Sequence, residues 1–178
     1  MRFALKSSGQ VIASRDTGRE IREKIEHLIE QMSATDTLYV DLEGVVAVSP
    51  SAADELFGRL FSELASGQFR ARRVILEHVD ADAEEILSGV FKRREVFAPA
   101  LDEHNRLRLI GAPEYLEKTY EAAVALKEFT TSDIAEQFHL TLPAANNRLM
   151  RLWRTNLVAR KESSARRGGR EYVYSAGA

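Results

Sequence analysis

The sequence predicts an α/β layer of helices on a small sheet, followed by a smaller α+β unit organised around a helix-turn-helix. Three observations lead there. Over the first part of the chain, segments of helical periodicity alternate with short apolar runs, the pattern expected of helices covering a sheet. Gly111 and Pro113 then interrupt the chain, and beyond them come short capped helices and two strand-like runs. Charge divides at the same place: Met1 to Gly111 carries 15 Lys and Arg against 19 Asp and Glu, net −4, whereas Ala112 to Ala178 carries 10 against 8, net +2. The predicted domains are 1–111 and 112–178.

The first predicted helix is "TGREIREKIEHLIEQM", where Ile21, Ile25, Leu28, Ile29 and Met32 recur at helical spacing and charged residues fill the other face. "TLYVDLEGV" alternates, with Leu38, Val40 and Leu42 on one side, and "RRVILEHV" is a short β-branched run bounded by charge; both read as buried strands. Between them "VVAVSPSAADELFGRLFSEL" places Ala53, Leu56, Phe57, Leu60, Phe61 and Leu64 on one helical face and stops at Gly67. A third helix is predicted at "DAEEILSGVFKRRE", with Ile86, Leu87, Val90 and Phe91 inward. "NRLRLI" reads either as the last strand of the first domain or as part of the connection.

The Ser-Pro-Ser turn inside that second segment has a purely structural explanation. Ser is favoured at a helix N-cap and Pro at the next position, so Ser49-Pro50 opens a helix; Ser51 with Asp54 could instead form a capping box. Asp54 and Glu55 complement the positive end of the helix dipole in either case.

Composition narrows the chemistry. The chain is 44% hydrophobic and 29% charged, without an apolar run of about 18 residues or more, and its first ten residues lack a signal-peptide core, so a cytoplasmic protein is expected. Cysteine is absent and His27, His78, His104 and His139 are scattered without ligand-like spacing, which points away from zinc and redox roles. No cofactor is expected. Asp41, Glu43, Asp54 and Glu55 gather near one turn, yet neither a histidine, a glycine-rich phosphate loop nor a nucleophile–base pair accompanies them in sequence, so no enzyme is expected.

In the second part a new helix is predicted from Pro113 to about Glu128. "TTSDIAEQFHLTLPAANNRLMRLWRTNLV" then has the grammar of a helix-turn-helix: a short helix with Ile134, Ala135 and Phe138, a turn at His139 to Thr141, and a second helix capped by Thr141. Ala145, Leu149 and Leu152 would pack inward, leaving Pro143, Ala144, Asn146, Asn147, Arg148 and Arg151 to solvent or a groove. "LVARKES" and "REYVYSA" are strand-like and are joined by the basic, glycine-containing tip "SARRGG", so the second helix is followed by a wing. From His139 to Glu171 there are eight basic residues and two acidic ones, which suggests a polyanionic partner at this end of the chain.

Two resemblances attach to these motifs. The order of elements with "YVDLEGVVAVSPSAADELFGRLFSEL" resembles the STAS domain of bacterial anti-sigma factor antagonists and, more closely, its STAS-like relatives. That resemblance implies a partner-binding module in which a serine kinase modifies the serine corresponding to Ser51. The family's turn is Asp-Ser-Ser-Gly, whereas this chain has Ser49, Pro50, Ser51 and Ala52. The segment from about Pro113 to Ala176 resembles the winged-helix domains of MarR-type and ArsR-type bacterial transcriptional regulators, without the cysteines that thiolate metal sensing needs. It implies double-stranded DNA as partner and, by analogy, a homodimer on paired half-sites. In that frame Asn146, Asn147 and Arg148 are the expected base readers, Arg151 and Arg154 the expected backbone contacts, and Arg166, Arg167 and Arg170 the wing contacts. The expected function is thus a DNA-binding transcriptional regulator with a STAS-like sensing module. The alternatives are a partner-switching protein regulated at Ser51, and a winged helix that makes protein contacts only.

Overall fold

The computed structural model describes residues 1–33, 36–69, 72–164 and 170–176. The chain is a mixed α/β protein that divides into two compact units, Met1–Ala112 and Pro113–Ala178. No helix among the described residues is long and apolar enough to cross a membrane.

The N-terminal unit holds a five-stranded sheet of β1 (Arg2–Ala4), β3 (Thr37–Asp41), β5 (Arg73–Glu77), β6 (Ala98–Leu101) and β7 (Leu107–Ile110), in that spatial order. The first four run parallel and β7 returns antiparallel to β6. A separate two-stranded parallel ladder joins β2 (Val11–Ile12) to β4 (Ala47–Val48). Parallel neighbours require crossovers, and helices supply them: α1 (Arg15–Gln31) precedes β3, a helix over residues 50–66 links β3 to β5, and α4 (Ala81–Arg94) links β5 to β6. The predicted apolar faces meet as one core. Ile21, Ile25 and Ile29 of α1, Leu38 and Val40 of β3, Leu56, Phe57, Leu60 and Phe61 of the second helix, Val74 and Leu76 of β5 and Leu87, Val90 and Phe91 of α4 are all buried. Phe61 and Phe91 meet edge to face, ring centres 5.4 Å apart.

The helix over residues 50–66 is not the uniform helix its spacing predicts. It is built from α2 (Pro50–Ala53), a π turn (Asp54–Gly58) and α3 (Arg59–Ser66), and it ends at Gly67, whose φ of 87° is the left-handed cap a glycine adopts without strain. A glycine also sets the approach of α1 to its start: a Cβ at Gly18 would stand 2.8 Å from the Ala52 carbonyl oxygen. "NRLRLI" resolves to β7, paired through Leu107↔Leu101 and Ile110↔Ala98, and so belongs to this sheet.

The C-terminal unit contains α5 (Glu114–Leu126), β8 (Glu128–Thr130), α6 (Thr131–Gln137), α7 (Leu142–Arg154), β9 (Val158–Ser164) and β10 (Arg170–Ala176). The three strands form an antiparallel sheet in the order β8-β10-β9. Here α5 stops at Leu126, short of the predicted Glu128, because Lys127 turns to φ 63° and the next three residues pair with β10. Phe129 of β8 stacks on Tyr174 of β10 with ring centres 5.8 Å apart.

Candidate nucleic-acid interface

The exposed face of α7 is set up from its two ends. Thr130 and Asp133 form a capping box at the start of α6, and α6 closes with Leu140 N–H bonded to the Ala135 carbonyl at 2.8 Å and His139 at φ 53°. Thr141 then caps α7 by accepting from the Ala144 N–H at 3.4 Å. Ala145, Leu149 and Leu152 lie fully buried along one side of α7. With that side fixed, 3.6-residue periodicity sends Pro143, Asn146, Asn147 and Arg154 outward, and all of these are exposed; Ala144 and Arg151 are half-buried.

Arg148 takes a different place from the one its sequence position suggests. It is half-buried on the flank of α7, where Nη1 donates to Thr119 Oγ1 at 3.2 Å. Its guanidinium lies 4.8 Å from the centre of the Tyr115 ring and 5.6 Å from that of Phe138. The delocalised cation is weakly hydrated and is attracted to both ring faces, an effect worth about 0.5–1 kcal/mol per pair near the surface. Arg151, one turn boundary further round, donates from Nη1 to the Tyr115 hydroxyl at 2.6 Å.

A second aromatic seat was not legible in the sequence. Arg160 of β9 lies 3.7 Å from the Trp153 ring centre and 4.6 Å from that of Tyr172, and its Nη1 donates to Met150 Sδ at 3.2 Å. Residues from α7, β9 and β10 meet there because Tyr172 is diagonal to Arg160 in the β9–β10 register, where Arg160 pairs with Tyr174. The seat ties the hairpin to the last turn of α7. Arg166 and Arg167 lie outside the described residues; Arg170 opens β10 opposite Ser164.

In the N-terminal unit the Ser-Pro-Ser turn is a helix cap. Ser49 Oγ accepts from the Ala52 N–H at 3.2 Å and donates to the Ala13 carbonyl at 2.6 Å. With its own hydroxyl hydrogen so used, Ser49 receives the Ser51 hydroxyl, 3.1 Å away, and Ser51 is half-buried. The Ser51–Asp54 capping box does not form: Asp54 instead takes Arg94, through Nε at 2.7 Å and Nη2 at 2.8 Å. Glu55 pairs with Arg59 at 3.0 Å.

The expectation that no histidine accompanies the carboxylates is corrected. His78, just past β5, places Nδ1 2.7 Å from Asp41 Oδ1 at the end of β3, and the Glu43 N–H donates to the same oxygen at 2.9 Å. Parallel pairing of β3 with β5 brings together residues 37 positions apart, which spacing along the chain cannot reveal. The hydrogen bond to Asp41 holds the His78 imidazole above its ordinary value; burial pushes the Asp41 carboxyl up, but the Glu43 N–H and His78 outweigh it and leave it lowered. Among the described residues, Asp41, Glu43 and His78 are the group whose donor atoms, all within 4.8 Å of one another, lie close enough to hold a cation. Beside them is a cavity of about 220 Å³ lined by Leu42, Val45, Val48, His78, Asp82 and Ile86 among others.

No protein-family model, curated protein or solved structure matches the chain.

Proposed function

We propose that this protein is a DNA-binding transcriptional regulator in which the C-terminal unit acts as a winged helix and the N-terminal unit as a STAS-like module that receives a signal or a protein partner. The observation that carries the reading is the exposed face of α7, where two amides and an arginine stand on a helix whose opposite side is fully buried. Such a helix fits the major groove, and Asn reads adenine bidentately there. Asn146 and Asn147 are assigned to base edges, Pro143 and Ala144 to apolar contact, and Arg154 and Arg151 to phosphates. Arg148 supports the helix from its flank and reaches the backbone rather than a base. The β9–β10 hairpin, anchored by Arg160 between Trp153 and Tyr172, is the wing, with Arg166, Arg167 and Arg170 as its cations. A homodimer on paired half-sites is the assembly that this mode of reading favours.

The test is selection of bound duplexes from a random DNA pool by the full chain, repeated at two salt concentrations. A recovered motif that survives the higher salt is expected. Asn147→Ala should then relax preference at one base pair, by about 1–3 kcal/mol, while Arg154→Ala should weaken binding to all sequences and reduce the salt slope by about one. Recovery of no duplex, or of unsorted DNA lost at higher salt, would reject base reading by α7.

A further inference from the structure

We infer that Glu26 of α1 and Glu63 of α3 share one proton, and that this proton clamps α1 to the helix over residues 50–66 and makes the seam between them sensitive to pH. The charges there do not balance without it. Arg22 of α1 meets three carboxylates: Glu26, in close contact with Nη1; Glu63, whose Oε1 lies 3.6 Å from the same Nη1; and Glu55 of the π turn, 3.5 Å from Nη2. Arg59 of α3 adds a second cation, but its Nε goes to Glu55 at 3.0 Å. Three carboxylates therefore face two guanidinium groups, at a seam where the side chains of Arg22, Glu26 and Glu55 are each less than one fifth exposed. Glu63 is the one left short. Its Oε1 has only the long contact to Arg22, and its Oε2 is sealed from solvent without a hydrogen-bond partner among the described residues.

A carboxylate oxygen in that position loses its hydration and gains no donor, whereas a carboxylic acid carries a donor of its own. A proton on Glu63 cancels the excess negative charge and lets the acid donate to the Glu26 carboxylate, whose other partner is Arg22. Arg22 and Glu26 from α1, Glu55 from the π turn and Arg59 from its own helix are the charged groups around Glu63. Burial first, then the hydrogen bond to Glu26 and its charge, push the Glu63 carboxyl above its ordinary value, against the pull of Arg22 and Arg59. A carboxyl raised in the folded state weakens the fold progressively as pH climbs from its unfolded value, about 4.3, through the folded one. Loss of the proton leaves like charges on either side of the seam between α1 and α3.

The experiment follows the side-chain carboxyl signals of the full chain by carbon-13 NMR across pH, in the parent, Glu63→Gln and Glu26→Gln, with thermal unfolding midpoints measured over the same series. The signal lost in Glu63→Gln is expected to titrate above the ordinary glutamate value in the parent, and at lower pH in Glu26→Gln, where the neighbouring charge is gone. Glu63→Gln supplies an amide in place of the acid. Its midpoint should match the parent's near about pH 4 and rise above it as pH increases, by about 3–5 °C for each pH unit by which the proton is held above its ordinary value. A plain ion pair between Glu63 and Arg22 predicts the reverse, a variant that melts below the parent at neutral pH. The inference is overturned by a Glu63 signal that titrates at or below the ordinary value, by one that does not move in Glu26→Gln, or by a Glu63→Gln midpoint that does not rise above the parent's with pH.

Discussion

Asp54 shows how one side chain is aimed by backbone that its neighbours cannot predict. It stands at the start of the π turn, and both of its oxygens are taken by Arg94 of α4, at 2.7 and 2.8 Å, with each side chain less than one third exposed. The bidentate pair holds the Asp54 carboxyl below its ordinary value, the hydrogen bond from Arg94 being the main cause. A carboxyl lowered in the folded state adds stability that is present above its unfolded value, about 3.9, and is lost as pH falls through the lower folded value. Asp54→Asn should therefore cost about 1–3 kcal/mol at neutral pH, with the difference from the parent shrinking as the solution is acidified below about pH 4. Urea unfolding over a pH series measures it, and a difference that does not change with pH would show that the pair's charge contributes nothing. The same carboxylate reads from sequence as a helix-dipole complement; its pairing with Arg94, 40 residues further along the chain, depends on helix packing that the sequence does not show.

Between residues 49 and 66 the element, rather than any one residue, carries the architecture. Its apolar face was legible, since leucines and phenylalanines three and four apart admit only a helix packed on one side, and its Ser49-Pro50 start and Gly67 stop were legible from backbone chemistry. The π turn was not, because one widened turn leaves no mark in composition. The cap has a tertiary duty as well: Ser49 Oγ bonds to Ala13, beyond β2, and the Ser49 N–H to Ile12 at 2.9 Å, so the helix start is tied to a neighbouring ladder. Ser49→Ala should cost about 1–2 kcal/mol, toward the upper part of the range for a lost N-cap, whereas Ser51→Ala should change stability by less than about 0.5 kcal/mol. Chemical denaturation of the two variants distinguishes them, and equal losses would assign the cap to both serines. In the C-terminal unit both caps of the helix pair, Thr130 and Thr141, stand where side-chain chemistry places them.

The division of the chain at Ala112–Pro113 coincides with the change of charge, acidic before and basic after. Each unit has its own sheet, and the residues buried in the N-terminal core all come from before the division. Met1–Ala112 and Pro113–Ala178 produced as separate polypeptides should each show a cooperative thermal transition by circular dichroism. The phosphate-neutralising cations assigned above all lie in the second piece, so its salt slope on a mixed-sequence duplex should equal that of the full chain. A non-cooperative melt of either piece would mean that its stability depends on the other.

Local rules accounted for what local chemistry controls. Helical spacing, caps, glycine stops and the acidic–basic asymmetry are written in neighbouring residues, and α1, β3, β5, α4, α6 and α7 stand where those rules put them. Strands that owe their existence to partners escaped them. β1 and β8 are each three residues long, and β6 contains Pro99, which argues against a strand between two neighbours, yet β6 pairs with both β5 and β7. The sites divide in the same way. The outward row of α7 follows from periodicity, whereas Arg148 against Tyr115, Arg160 between Trp153 and Tyr172, and His78 beside Asp41 join residues that strand pairing and helix packing bring together. Periodicity assigns a side chain to a face; what it touches there depends on which other element the core brings alongside.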